Sequence, residues 1–212
     1  NIVTICDNSY CTPIYQKPIE LGIDLSIQSA TKYISGHSDV VAGVLSGSKQ
    51  MIERIFNSEY MNIGSGIQPF NAWLLLRGLK TLGVRMREHE KNAFAVARFL
   101  KNHPKVKEVY YPGLEDFKGH EIAKEQMTGF GAMISFELKG DLVDAKRVVN
   151  SVKLAQLAVS LGDCETLIEL PAAMTHRGYP KEELAKFGLT ESMIRISVGL
   201  EGVEDIIDDL NN

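Results

Sequence analysis

Asn1-Ile-Val-Thr-Ile5 enters apolar, β-branched sequence at once, with neither a polar lead-in nor a helix cap. It reads as a buried strand of parallel type, and a strand this apolar needs neighbours on both sides. It ends in an acid, Asp7, followed by Asn8. A second apolar run, Leu25 to Ile27, leads into Gln28-Ser-Ala-Thr-Lys32. Between the two, Pro18-Ile-Glu-Leu-Gly22 reads as a short helix stopped by glycine. Strand, helix and strand in that order predict an α/β unit, and in such sheets ligands bind beyond the carboxyl ends of the strands.

Both strand ends then carry chemistry. Lys32 leaves its strand between Ser29, Thr31 and a small-residue loop, Tyr33-Ile-Ser-Gly-His-Ser-Asp39. A lysine so placed can present its amine to a phosphorylated carbonyl cofactor while the hydroxyls hold the phosphate. Asp7 can pair with a protonated pyridine nitrogen and strengthen the ring as an electron sink. Together they point to pyridoxal 5'-phosphate (PLP). Blander roles stay open: Asp7 as a turn or capping acid, Ser29 and Thr31 as hydroxyls bonded to backbone.

Asp7-Asn-Ser-Tyr-Cys-Thr-Pro13 and Gln28 to Asp39 resemble the Cys/Met-metabolism PLP-dependent enzymes, the trans-sulfuration family. The resemblance continues through Arg77-Gly-Leu-Lys-Thr-Leu82, Tyr111-Pro-Gly-Leu114, Ser160-Leu-Gly-Asp163, Pro171-Ala-Ala-Met-Thr-His176 and Ile194-Arg-Ile-Ser-Val-Gly-Leu-Glu201, in order along the chain. It implies the C-terminal half of a longer enzyme, and residue 1 is expected not to be a natural N-terminus. The implied fold is α/β: the C-terminal part of a fold type I PLP-binding domain over 1–76, then an α+β domain over 77–212.

The rest of the pattern agrees with that division. Val40–Ser46 reads as a strand, Lys49–Phe56 as a helix and Asn57–Gly66 as a loop. Asn71 is expected to cap one long helix to about Asn102, with Gly78 and Gly83 permitting a bend. Its apolar stripe suits a core or a subunit interface. From Val106 the prediction alternates: strand 106–111, helix 121–128, strand 132–138, helix 141–152, strand 155–160, a helix after Pro180, strand 193–198 and helix 203–210. That is an α+β pattern with a mostly antiparallel sheet covered by helices on one side. With 44% hydrophobic residues, 24% charged and a net charge of -4, nothing suggests a nucleic-acid stripe or a membrane face. No run is long enough to span a bilayer, no signal peptide is expected, and Cys6, Cys11 and Cys164 lack metal-site spacing. Reduced cysteines and a cytoplasmic location are expected.

Arg195 lies in an otherwise apolar strand, so its charge demands an anionic partner. Its planar fork suits a substrate α-carboxylate; a structural ion pair is the alternative. The resemblance favours the carboxylate, places Ser160 against the substrate, and has Thr175 support Arg195 or the carboxylate region. Val159 stands where the resemblance associates an acid with substrates bearing a distal amino group. An apolar residue there favours an uncharged thioether, unless Val159 simply faces the core. His176, His37 and Cys164 are read as structural.

The resemblance implies α,γ-elimination of L-methionine to a thiol, 2-oxobutanoate and ammonia, with Lys32 as the Cα base once burial and a nearby cation lower its pKa. The alternatives are cystathionine γ-lyase, cystathionine γ-synthase and O-acetylhomoserine sulfhydrylase. The family's N-terminal phosphate loop, ring-stacking tyrosine and partner-donated residues have no match in these residues. A truncated, non-catalytic fragment is therefore the alternative of another class. A homotetramer, built as a dimer of dimers, is expected.

Overall fold

The computed structural model describes residues 2–211 and, within them, every side chain but that of Lys181. The chain opens with β1 (Ile5–Asp7), a turn of helix α1 (Thr12–Tyr15) and a 3-10 turn at Pro18–Leu21 that stops at Gly22. β2 (Leu25–Ser29) follows and pairs in parallel with β1, as the strand-helix-strand order predicts. β3 (Gly43–Gly47) pairs with β2 antiparallel, so the sheet order is β1-β2-β3.

The expected buried strand at the start is corrected. β1 is short and has one neighbour among the described residues, and Ile2 and Ile5 are 92% and 60% exposed. A strand at a sheet edge leaves much of its side-chain surface uncovered. Asn1, the first residue of that expectation, lies outside the described residues.

Helix α2 (Lys49–Ile55) starts where Ser48 Oγ accepts from Met51 N at 3.3 Å. The loop expected over 57–66 is largely helical instead. A wide turn at Phe56–Tyr60 and α3 (Met61–Ile63) extend α2 until Gly64 ends it at φ 84°. Tyr60 stacks on Phe56 with ring centroids 5.0 Å apart, which supports helix where polarity alone suggests loop.

The single long helix is also corrected. α4 (Pro69–Leu79) begins with Pro69 in its first turn, where a missing N–H costs nothing. It stops at Lys80–Thr81, and α5 (Leu82–Asn102) starts anew. The two ends are closed by i→i−3 bonds from Lys80 N to Arg77 O and from Thr81 N to Gly78 O. The apolar stripe divides accordingly. Met86, Ala93, Val96, Ala97 and Leu100 of α5 are buried, while Phe70, Trp73 and Leu76 of α4 are 65%, 55% and 62% exposed.

β4 (Val106–Tyr110), α6 (His120–Gln126), β5 (Met133–Leu138) and α7 (Leu142–Ser151) follow as predicted. Asp141 caps α7 in a reciprocal box with Asp144. The strand expected over 155–160 shrinks to β6 (Gln156–Leu157), and an unforeseen strand, β7 (Leu167–Glu169), appears. α8 (Lys181–Lys186), β8 (Met193–Ser197) and α9 (Val203–Asn211) complete the chain.

The second sheet runs β4-β5-β8-β7-β6, antiparallel except for the β6–β7 pair. Strand alternation gives it two unlike faces. Ile134, Ile196 and Ile168 stand side by side across three strands and pack with Ala93, Val96 and Ala97 of α5, Val149 of α7 and Ile206 of α9. The next register row, Ser135, Arg195 and Glu169, points the other way. That alternation puts the one arginine of β8 on the face turned from the helical core. Among the described residues, no helix is long and apolar enough to cross a membrane.

Candidate active site

Lys32 sits in a tight turn after β2, where Lys32 N donates to Ser29 O at 3.1 Å and Gly36 N to Lys32 O at 2.8 Å. Its amine reaches 128 positions along the chain and donates to Ser160 Oγ at 2.8 Å. Ser160 is itself fixed from β8: Arg195 Nη2 donates to Ser160 O at 2.9 Å and to Val159 O at 3.0 Å. The other arm of the fork, Nη1, lies 2.9 Å from Glu169 Oε1. Thr175 Oγ1 donates to that same oxygen at 3.3 Å. Lys32, Ser160, Val159, Arg195 and Thr175 thus converge, with Glu169 as the member that sequence reasoning missed. Its signal was faint: one acid inside a short apolar stretch, Thr166-Leu-Ile-Glu-Leu170.

The electrostatics follow from burial. Burial, aided by the positive charge of Arg195, lowers the Lys32 pKa below the ordinary lysine value, and Glu169 opposes the shift. Glu169 is 1% exposed, and burial pushes its carboxyl up while Arg195, Thr175, His176 and Lys32 pull it down. One arm of Arg195 is in an ion pair, the structural alternative, and the side chain is 17% exposed.

Close approach of the two halves depends on Gly162. Its φ is +77°, and a Cβ there would stand 2.7 Å from Tyr33 N, so only glycine lets the segment after Ser160 lie against the residue after Lys32. Gly162 N also donates to Ser197 Oγ at 2.9 Å.

The strand-end residues lie on the other side of Lys32. Asp7 is exposed; its Oδ1 accepts from Ser9 N at 2.9 Å and Ser9 Oγ at 2.7 Å. Ser9 Oγ in turn accepts from Ser29 N at 2.7 Å, tying β1 to the lysine turn. Among the described residues neither Asp7 Oδ2 nor the Ser29 hydroxyl has a protein partner. The Thr31 hydroxyl accepts from Ala42 N at 3.0 Å and donates to Ala42 O at 3.3 Å, the backbone-bonded alternative. Val159 does not face the core. It lies beyond β6 and is 54% exposed. His37 bonds locally through Nδ1 to Ser35 O at 2.7 Å, and Cys164 Sγ donates to Gly36 O at 3.0 Å. Both fit structural roles, as does His176, whose ring nitrogen meets Thr175 Oγ1 at 3.0 Å.

An amine of lowered basicity, a carboxylate at a strand end, an unclaimed hydroxyl and a carboxylate-binding fork suit a pyridine aldehyde phosphate and an amino-acid substrate. The chain belongs to the Cys/Met metabolism PLP-dependent enzymes, whose family pattern matches residues 1–212. It is 52% identical over 211 residues to an L-methionine gamma-lyase from Fusobacterium nucleatum subsp. polymorphum, covering 99% of this chain and 53% of that protein. It is 46% identical over 207 residues to a cystathionine gamma-lyase from Dictyostelium discoideum, covering 98% and 54%. A cystathionine beta-lyase from Coxiella burnetii is 48% identical over 214 residues, covering 99% and 54%; β-elimination was not among the expected alternatives. The crystal structure of cystathionine gamma-lyase from Lactobacillus plantarum complexed with L-serine superposes with a TM-score of 0.94 at 41% identity, covering 99% of this chain and 55% of that one. The chain therefore spans about half the length of the curated relatives it matches.

Proposed function

We propose that this chain carries the lysine-bearing part of a sulfur amino-acid lyase whose main reaction is α,γ-elimination of L-methionine to a thiol, 2-oxobutanoate and ammonia. The observation that carries the reading is the convergence on Ser160: Lys32 Nζ at its hydroxyl, Arg195 at its carbonyl. PLP, when bound, supplies an electron sink for the charge left at the substrate Cα. Lys32 takes the Cα proton, and its lowered basicity leaves a share of the amine free to do so. Ser160 holds that amine in line. Arg195 binds the α-carboxylate through the N–H of Nη1 that Glu169 leaves free, while Nη2 holds the Val159 and Ser160 carbonyls and Thr175 steadies the pair. Asp7 keeps a proton on the ring nitrogen, and the Ser29 hydroxyl donates to the phosphate. Thr31, tied to Ala42, shapes the turn and meets the phosphate only if its hydroxyl swings away.

Val159, exposed at the site and uncharged, favours a thioether over a substrate with a distal ammonium. We take residues 1–76 as part of the cofactor domain and 77–212 as the C-terminal domain. The exposed row Phe70, Trp73 and Leu76 supports burial against further chain or subunits, in keeping with a homotetramer. The predicted location is the cytoplasm.

The test is borohydride reduction of the whole protein with PLP, followed by peptide mapping and an assay for 2-oxobutanoate. A reduced pyridoxyl group on Lys32 and ketoacid from methionine are expected. A label elsewhere overturns the site; ketoacid from cystathionine or O-acetylhomoserine but not methionine overturns the substrate.

A further inference from the structure

Arg85, on the first turn of α5, is 5% exposed and has no carboxylate in ion-pair contact among the described residues. A buried guanidinium is costly unless its N–H groups are satisfied. Here backbone carbonyls take most of them. Nη1 donates to Tyr33 O at 2.7 Å, and Nη2 donates to Gly78 O at 2.9 Å and Ile34 O at 3.4 Å. Nε donates to Thr81 Oγ1 at 3.1 Å. Two of those carbonyls belong to the residues directly after Lys32. The third, of Gly78, and the Thr81 hydroxyl belong to the corner between α4 and α5. The guanidinium also fills the space beside Gly36, where a Cβ would stand 2.2 Å from Nη1.

The same face of α5 grips the other half of the site. His89 and Asn92 lie four and seven positions on, so they share a helix face with Arg85. His89 Nδ1 bonds Val198 O at 2.7 Å, and Asn92 Nδ2 donates to Gly199 O at 3.1 Å and Glu201 O at 3.0 Å. Those carbonyls lie just past the end of β8, the strand of Arg195. One rigid helix therefore holds the lysine turn at Arg85 and the arginine strand at His89 and Asn92.

We propose that Arg85 is a positioning residue for Lys32: by holding the Tyr33 and Ile34 carbonyls it fixes where the lysine amine stands relative to Ser160 and Arg195. The proposal rests on the reading of Lys32 as the Cα base. If the turn is released, the amine moves outward, away from Arg195 and into water. Its basicity then rises toward that of an ordinary lysine. Proton transfer slows, while carboxylate binding at Arg195 is spared.

The experiment compares the whole protein with Arg85→Met, Arg85→Lys and Thr81→Val. The first readout needs no cofactor: trace labelling of Lys32 with acetic anhydride across pH 6 to 11, followed by peptide mass spectrometry. Arg85→Met is expected to bind the Lys32 proton about tenfold more tightly. Arg85→Lys, which keeps the charge but not the fork, should fall between it and the parent. Thr81→Val, which removes the acceptor of Nε and the hydroxyl's own bond to Gly78 O, should shift it about twofold to threefold. With PLP bound, kcat for Arg85→Met should fall about 10- to 100-fold with KM within about twofold. Thermal unfolding identifies any variant that does not fold, and the milder two then decide. Unchanged Lys32 labelling in every folded variant overturns the proposal, as does a rise in KM that matches the loss of kcat. If the parent makes no ketoacid from methionine, the reading of function fails alone, and the labelling profile still decides Arg85.

Discussion

Glu169 and Arg195 stand opposite each other across β7 and β8, in register, with Oε1 2.9 Å from Nη1. The arginine that would receive a substrate carboxylate is thus already partly neutralised by a buried one. The second oxygen of Glu169, Oε2, is buried without a partner among the described residues.

Removing that charge should be felt at two atoms. In Glu169→Gln the fork is freer for an incoming carboxylate, so KM for methionine should fall about threefold to tenfold. Glu169 now opposes the lowering of the Lys32 pKa, so its loss should lower that pKa further. The labelling midpoint of Lys32 should therefore move to lower pH. An unchanged or higher midpoint would show that the two groups are not coupled. Loss of the pair should also cost about 1–3 kcal/mol in urea unfolding, because Arg195 keeps two carbonyl acceptors.

Val159→Glu places a carboxylate at an exposed position of the site, so folding should change by less than about 0.5 kcal/mol. The ratio of kcat/KM for cystathionine to that for methionine should rise about tenfold, because a distal ammonium gains a partner. Competition between the two substrates reads the ratio directly; no change would remove Val159 from substrate selection.

His89 makes stability pH-dependent. Burial, helped by Arg85, holds its pKa at about 4 against 6.5, although the bond to Val198 O, Asp163 and Glu88 oppose the shift. The unfolded chain binds the proton more readily, so acid favours unfolding. The effect is absent above pH 6.5, grows as pH falls toward about 4, and is constant below that. Its full size is about 3 kcal/mol. Urea unfolding of the parent and His89→Asn across this range should diverge by that amount, and parallel curves would show that His89 is not held neutral.

Asp209 of α9 accepts three backbone bonds, from Lys153 N at 2.7 Å, Leu154 N at 3.0 Å and Ala155 N at 2.9 Å. It is the clasp between the last helix and the segment entering β6. Asp209→Ala should cost about 3 kcal/mol, since it leaves partly buried N–H groups unpaired. Hydrogen exchange at Lys153, Leu154 and Ala155 should speed up more than at β5. Uniform acceleration would mean that the clasp is not local.

Local chemistry was legible in the sequence, and long-range contact was not. Lys32 and Asp7 stand out as candidates because each follows an apolar run, and the helix from Asp141 shows in its own residues. Ser160 at the Lys32 amine could be placed only through resemblance, because the pair is 128 positions apart. β7 escaped notice because three residues, Leu-Ile-Glu, show no period. With it went Glu169, whose meaning lies in the arginine across the sheet. The break after Leu79 showed only as a bend permitted at Gly78 and Gly83, because the apolar stripe runs on through Leu79 and Leu82. The exposure of β1 is a matter of neighbours, which no stretch of its own residues reveals.

The order of strands in the second sheet sets a schedule for synthesis. β8 lies between β5 and β7, yet it is made after both. Until it is threaded in, β5 has a bare edge and Arg195 does not exist to hold Ser160 beside the lysine. At ordinary translation speeds the ribosome needs on the order of ten to thirty seconds to travel from Lys32 to Arg195. For that interval Lys32 is an ordinary protonated lysine, because the burial and the Arg195 charge that lower its basicity come only with the finished sheet.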